Sequence, residues 1–97
     1  MRVAVLHVEI HIPYAQSLKD KRMSVRRVKD RLKALGVAVA EVGHLDVWQR
    51  SAIGVAVVGG EGYHLKRVLH EVERFVEVHP GVELIDREVT MHDPEDA

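Results

Sequence analysis

The fold is decided by residues 37–58, which read VAVAEVGHLDVWQRSAIGVAVV. Two stretches rich in Val and Ala, at about 37–45 and 52–58, enclose a turn-like segment that contains the only tryptophan, Trp48. Such stretches are typical of β-strands. Because two strands this close in the chain must pair with each other, the centre of the molecule is predicted to be an antiparallel hairpin.

A helix is predicted on each side of this hairpin. Before it, Ser17-Leu18-Lys19-Asp20 has the spacing of a helix-capping box, and Gly36 is suited to end the helix. After it, His79-Pro80-Gly81 ends a second helical segment. Each helix carries an apolar stripe at helical spacing, made of Val25, Val28, Leu32 and Leu35 in the helix at 17–35 and of Leu65, Val68, Leu69, Val72, Phe75 and Val76 in the second.

One strand is predicted near each end of the chain. Residues 3–12 alternate between two faces with a period of two, Pro13 ends that strand, and residues 82–89 form the last one. The order is βαββαβ, in which right-handed crossovers put both helices on one face of a four-stranded antiparallel sheet. The predicted fold is therefore an α+β sandwich in a single domain, residues 1–91, followed by a frayed acidic tail at 92–97.

The composition is that of one globular domain. Of the 97 residues, 46% are hydrophobic and 30% charged, and the lack of cysteine excludes disulfides and thiolate metal sites. There is no signal-peptide pattern, and no apolar run approaches the ~20 residues of a membrane helix, so a cytoplasmic protein without membrane contact is expected. The absence of Asn and the presence of only two Gln resemble thermophile composition.

Charge is distributed unevenly, and the first helix is its basic centre. Residues 1–60 hold ten Lys or Arg against five Asp or Glu, whereas residues 61–97 hold four against ten. Spacings of three and four residues form one band beside the apolar stripe, made of Lys19, Arg22, Arg26, Lys29 and Lys33. This band can follow a phosphate backbone, or it can be a solvated helix face. Lys21 falls near the apolar stripe, where it must snorkel or be held for a purpose.

Two further groups are candidates for binding. Trp48, followed closely by Arg50, can stack on a base, anchor an interface, or plug the edge of the core. His7, Glu9 and His11 share the sheet face that the helices leave open. They are predicted to hydrogen-bond across strands or to line a dimer contact rather than to bind a metal ion, because no further ligand from another strand accompanies them.

No motif indicates catalysis. Gly59-Gly60-Glu61-Gly62 precedes the second helix but lacks the Lys-Ser/Thr of a P-loop, and Glu61 would repel phosphate, so a turn is predicted there. There is no nucleophile elbow and no cysteine nucleophile. The chain is expected to be a binding protein without cofactor, metal or small-molecule substrate, and an enzyme that uses the His7 and Glu9 face is the third alternative.

Three segments, SLKDKR at 17–22, AEV at 40–42 and DVWQRS at 46–51, resemble the YlxP-like proteins, a bacterial family catalogued as domain-of-unknown-function family 503. The resemblance implies a ferredoxin-like fold and suggests a translation-related role, because genes of this family tend to neighbour those for initiation and ribosome-maturation factors. It carries no defined activity. The matching positions are Ser17, Leu18, Lys19, Lys21, Arg22, Glu41, Asp46, Trp48, Gln49 and Arg50.

Two functions are therefore weighed. The first is a non-enzymatic module that binds RNA or the ribosome, with contacts from Lys19, Lys21, Arg22, Arg26, Lys29, Lys33, Trp48 and Arg50. The second is a structural or regulatory homodimer joined through the open sheet face near His7, Glu9 and His11. A structural role for the motif is open as well, in which Lys21, Arg22, Glu41 and Asp46 bridge the first helix to the hairpin.

Overall fold

A computed structural model describes residues 1–94 of the chain. The elements follow the order predicted from the sequence, and their bounds are β1 Arg2–His11, α1 Leu18–Lys33, β2 Ala38–Gly43, β3 Arg50–Gly59, α2 Gly62–Val78 and β4 Glu83–His92. The hairpin of β2 and β3 and the two flanking helices are therefore confirmed.

The four strands form one antiparallel sheet in the order β2-β3-β1-β4. The two long central strands pair along their full length, with Val8 of β1 opposite Ile53 of β3 and, on its other side, Arg87 of β4. This strand order and the βαββαβ connectivity are those of a ferredoxin-like α+β fold, as expected. At the end of the sheet where β1 finishes and β3 starts, the connection into α1 and the β2–β3 turn come together.

The core lies between the sheet and the two helices. Alternate residues of β1 enter it, and the apolar stripes of both helices pack on them; the fully buried members include Ala4, Leu6, Val8, Ile10, Val28, Leu32, Leu65, Val72 and Val76. Leu35 was expected to continue the α1 stripe, but it is 40% exposed. It lies beyond the last helical residue, Lys33, so the helical periodicity no longer directs its side chain inward.

The start of α1 is fixed by its predicted cap. Ser17 is the N-cap, and its Oγ accepts a hydrogen bond of 3.0 Å from the backbone N–H of Asp20. The Asp20 carboxylate in turn accepts a hydrogen bond of 3.0 Å from the backbone N–H of Gln16, which lies one residue before the donor used in a capping box. Because the cap satisfies two backbone donors, the direction in which α1 leaves β1 is well determined.

The end of the chain differs in one detail from the predicted boundary. β4 continues to His92, and the Asp93 carboxylate lies 3.0 Å from Nε of Arg2, at the start of β1. The acidic tail was predicted for 92–97, of which residues 95–97 lie outside the described part of the chain.

Candidate nucleic-acid interface

Lys21 is buried, with 1% of its side chain exposed. Its Nζ lies 2.8 Å from Oε2 of Glu41 on β2 and also donates a hydrogen bond to the backbone carbonyl of His44. The same carboxylate oxygen of Glu41 accepts a bond of 2.7 Å from the hydroxyl of Ser51 on β3. The prediction that Lys21 contacts phosphate is therefore wrong, since its ammonium group is enclosed by the protein.

The bridge from α1 to the hairpin exists, but its members differ from those expected. Glu41 supplies the carboxylate for Lys21, whereas Asp46 and Arg22 are exposed. A buried ammonium group is tolerated only where a carboxylate and further hydrogen-bond partners compensate for the lost hydration. Because Lys21 needs both Glu41 and the carbonyl of His44, it fixes the beginning of the β2–β3 turn against α1.

Gln49 fixes the other end of the same turn. Its side-chain amide donates to the backbone carbonyl oxygens of Pro13, at 3.1 Å, and Ala15, at 3.2 Å. Its backbone carbonyl accepts a hydrogen bond of 2.9 Å from the N–H of Ile12. Residues 12–15 form a turn closed by a 3.1 Å bond from the N–H of Ala15 to the carbonyl of Ile12. Gln49 thus joins the turn at 12–15 to the turn at 44–49.

Aromatic and apolar side chains project from these two joined turns. Tyr14, which lies between the two residues held by Gln49, is 81% exposed, and Trp48 is 51% exposed. Leu45 and Val47 are exposed beside them in the chain. Trp48 is therefore not a plug of the core. Sequence reasoning missed Tyr14; its place directly after the strand-ending Pro13 was the available signal.

The basic band lies along the outer side of α1. Lys19, Arg22, Arg26 and Lys33 are exposed and Lys29 is half-buried. Arg22, Arg26, Lys29 and Lys33 line a hollow of about 260 Å³ between α1 and β2. Its other lining residues are Val25, Asp30 and Glu41. Since the carboxylate of Glu41 is paired with Lys21, the cations dominate the charge of this hollow.

Arg50 lies at the same end of the molecule as the joined turns. It is the first residue of β3, it is exposed, and it pairs across the sheet with His11. Because residues directly opposite each other on paired strands share a face, the Arg50 side chain lies with His11 on the sheet face away from the helices. The two joined turns and the basic band meet at the start of α1. We call the surface that they form the α1 surface, defined by Tyr14, Lys19, Arg22, Arg26, Lys29, Lys33 and Trp48.

His7, Glu9 and His11 lie on the sheet face away from the helices, as predicted. Glu9 is engaged by His44, whose Nε2 lies 3.1 Å from its Oε2, and Nδ1 of His11 lies 3.7 Å from Oε1 of Glu83. Their partners are therefore different residues, and the three side chains do not converge on one point. Among residues 1–94, no group of three or more His, Asp or Glu side chains is arranged to hold a metal ion.

The same open face is apolar farther along the sheet. A shallow hollow of about 300 Å³ is lined by Val5, Ala38, Val39, Ala40, Val42, Gly54, Val55 and Ala56. It lies next to the predicted dimer contact, because Val5 and Gly54 neighbour His7 along β1 and across the β1–β3 pair. Small side chains make this part of the face flat.

The comparisons with known proteins agree on a family without an assigned function. The family described as "Protein of unknown function (DUF503)" matches residues 3–89. The "Uncharacterized protein YlxP" of Bacillus subtilis (strain 168) is 33% identical over 70 residues, which are 71% of this chain and 76% of that protein. A solved structure, the "De novo designed protein Foldit4", aligns with a TM-score of 0.53 at 13% identity over 94% of this chain and 97% of that one, a likeness of fold alone. In residues 1–94, neither helix is long and apolar enough to cross a membrane.

Proposed function

We propose that this chain, which belongs to the DUF503 family of proteins of unknown function, is a non-enzymatic, cytoplasmic module that binds RNA, free or within the ribosome. The α1 surface makes the contact. Its cations engage phosphates, and its exposed aromatic side chains add apolar contact at one end.

The observation that carries the proposal is the exposed basic band on α1. From Lys19 to Lys33 the band extends over about 21 Å at the helical rise of 1.5 Å per residue, long enough to follow several successive phosphates. The hollow between α1 and β2 gives it depth as well as length. Each Lys or Arg that meets a phosphate releases condensed counterions, which supplies affinity without any base-specific contact.

The buried bridge supports this surface without touching the ligand. Lys21 is buried beside the band, and its ammonium group holds the β2–β3 turn against α1. Together with the bonds of Gln49, this bridge keeps Trp48 at a fixed position relative to Lys19 and Arg22. A preorganised surface loses less conformational entropy on binding, which favours affinity.

The test compares two charge reversals of equal size. Fluorescence anisotropy with a labelled single-stranded RNA of mixed sequence is measured at low salt for the wild type, for R22E/R26E on α1, and for K66E/R67E on the exposed side of α2. The α1 variant is expected to lose at least about tenfold in affinity and to show a shallower salt dependence, while the α2 variant changes little. Equal losses in both variants, or no RNA binding by the wild type at low salt, would refute the proposal.

A second candidate function is a homodimer joined through the open sheet face. The flat apolar hollow beside His7 favours it, since stacking two such faces would remove Val5, Ala38 and Ala56 from water. Light scattering coupled to size exclusion at high micromolar concentration is the test. A dimer that becomes monomeric in A56R supports this function, and a monomeric wild type excludes it.

A further inference from the structure

We infer that the α1 surface selects RNA with unpaired bases, and that two such bases stack on Tyr14 and Trp48, an inference that rests on the proposed function. Phosphate contacts alone do not distinguish single strands from duplexes. Exposed aromatic rings do, because a base can offer its face to a protein ring only where it is not already stacked within a helix.

The first support is the joint exposure of two rings beside cations. Tyr14 and Trp48 are exposed over half or more of their side-chain surface, although Phe75 of the same chain packs against the core. Lys19 and Arg22 lie at the start of α1, the helix that follows the turn carrying Tyr14. Stacking rings next to positive charge are the arrangement by which single-stranded nucleic acid is bound without sequence preference.

The second support is that both rings stand on backbone that is held in place. Gln49, adjacent to Trp48, bonds the carbonyls on either side of Tyr14, at Pro13 and Ala15. At the beginning of the second turn, the carbonyl of His44 is held by Lys21. A turn anchored at both ends presents its ring without a large ordering cost when a base arrives.

The third support is position. Tyr14 and Trp48 occupy the end of the sheet where α1 begins, so a strand whose phosphates follow α1 brings its bases to these rings. Tyr63 is equally well exposed, but it stands at the start of α2, at the opposite end of the antiparallel β1–β3 pair. It therefore serves as the matched control for loss of an exposed ring.

The experiment uses two RNAs, a 12-nucleotide single strand and a blunt duplex of the same sequence, with the full-length protein. Trp48 is the only tryptophan, so its intrinsic fluorescence reports stacking directly. The wild type should bind the single strand more tightly, with quenching of Trp48. Y14A should lose about fivefold or more in affinity for the single strand, while its affinity for the duplex stays unchanged. W48A should show the same loss, measured by the fluorescence anisotropy of the labelled RNA. Y63A should match the wild type. Circular dichroism confirms that each variant is folded.

The outcomes separate this inference from the proposed function. Equal affinity for both RNAs, unchanged Trp48 fluorescence at saturation, or Y14A and W48A that bind like the wild type would each overturn base stacking. RNA binding that still responds to R22E/R26E would then leave the proposed function standing. No binding to either RNA would overturn both the inference and the proposed function.

Discussion

Lys21 of α1 and Glu41 of β2 form an ion pair of 2.8 Å between Nζ and Oε2, in which the lysine is buried and the glutamate keeps 18% of its side chain exposed. The pair joins α1 to the edge strand β2 and, through His44 and Ser51, to the turn and to β3. A lysine predicted to contact phosphate is therefore part of the architecture that holds the β2–β3 turn against α1.

K21M should destabilise the fold by about 3 kcal/mol, because it leaves the Glu41 carboxylate without its cation in a largely enclosed place. The partial exposure of Glu41 puts the expected loss at the lower end of the range for broken buried pairs. Urea unfolding followed by circular dichroism measures it. The double variant K21M/E41Q, in which no charge is stranded, should recover more than half of the loss. If the loss of unfolding free energy in K21M/E41Q equals the sum of the losses in K21M and in E41Q, the two residues are not coupled.

Q49A should cost about 1–2 kcal/mol of unfolding free energy, since two carbonyls lose their donor. It should also free the ring of Trp48, which lowers the steady-state fluorescence anisotropy of that tryptophan. Q16A is the matched control, because in the described part of the chain Gln16 bonds the Asp20 carboxylate through its backbone N–H and not through its side chain. Equal anisotropy in Q49A and the wild type would show that Gln49 does not hold the two turns together.

S17A should cost about 0.5–2 kcal/mol, the usual range for loss of an N-cap hydroxyl. The cause is the bond from the N–H of Asp20 to Oγ of Ser17, which alanine cannot accept. S24A provides the comparison within the same helix, where alanine is the better helix former and no loss is expected. The thermal unfolding midpoint of S17A should be lower than that of S24A. Equal midpoints would contradict the assignment of Ser17 as the cap.

Much of the fold follows from local pattern. The alternation on β1 and the apolar stripes on both helices depend only on residues close in the chain, and a hairpin at 37–58 needed no long-range information. Leu35 was misplaced because the last turn of α1 ends two residues before it. The residue at which a helix ends depends on how the chain turns toward the next strand.

The site was less predictable, because it depends on contacts between distant segments. The place of Lys21 near the apolar stripe indicated a held lysine, but the choice of Glu41 over Asp46 is set by how β2 lies against α1. Tyr14 gave no periodic signal. Its position is fixed by Gln49, 35 residues later in the chain, which joins the two turns.

The central claim, that α1 and the two joined turns form the RNA-binding surface, is tested most directly by amide chemical shifts. Heteronuclear correlation spectra of the ¹⁵N-labelled protein, titrated with an unlabelled 12-nucleotide single-stranded RNA, follow every backbone N–H of the chain. The shifts are predicted to concentrate in α1 and at residues 12–15 and 44–50, with α2 nearly unchanged. Shifts confined to α2 or to the open sheet face, or no shifts at a saturating concentration of RNA, would contradict the claim.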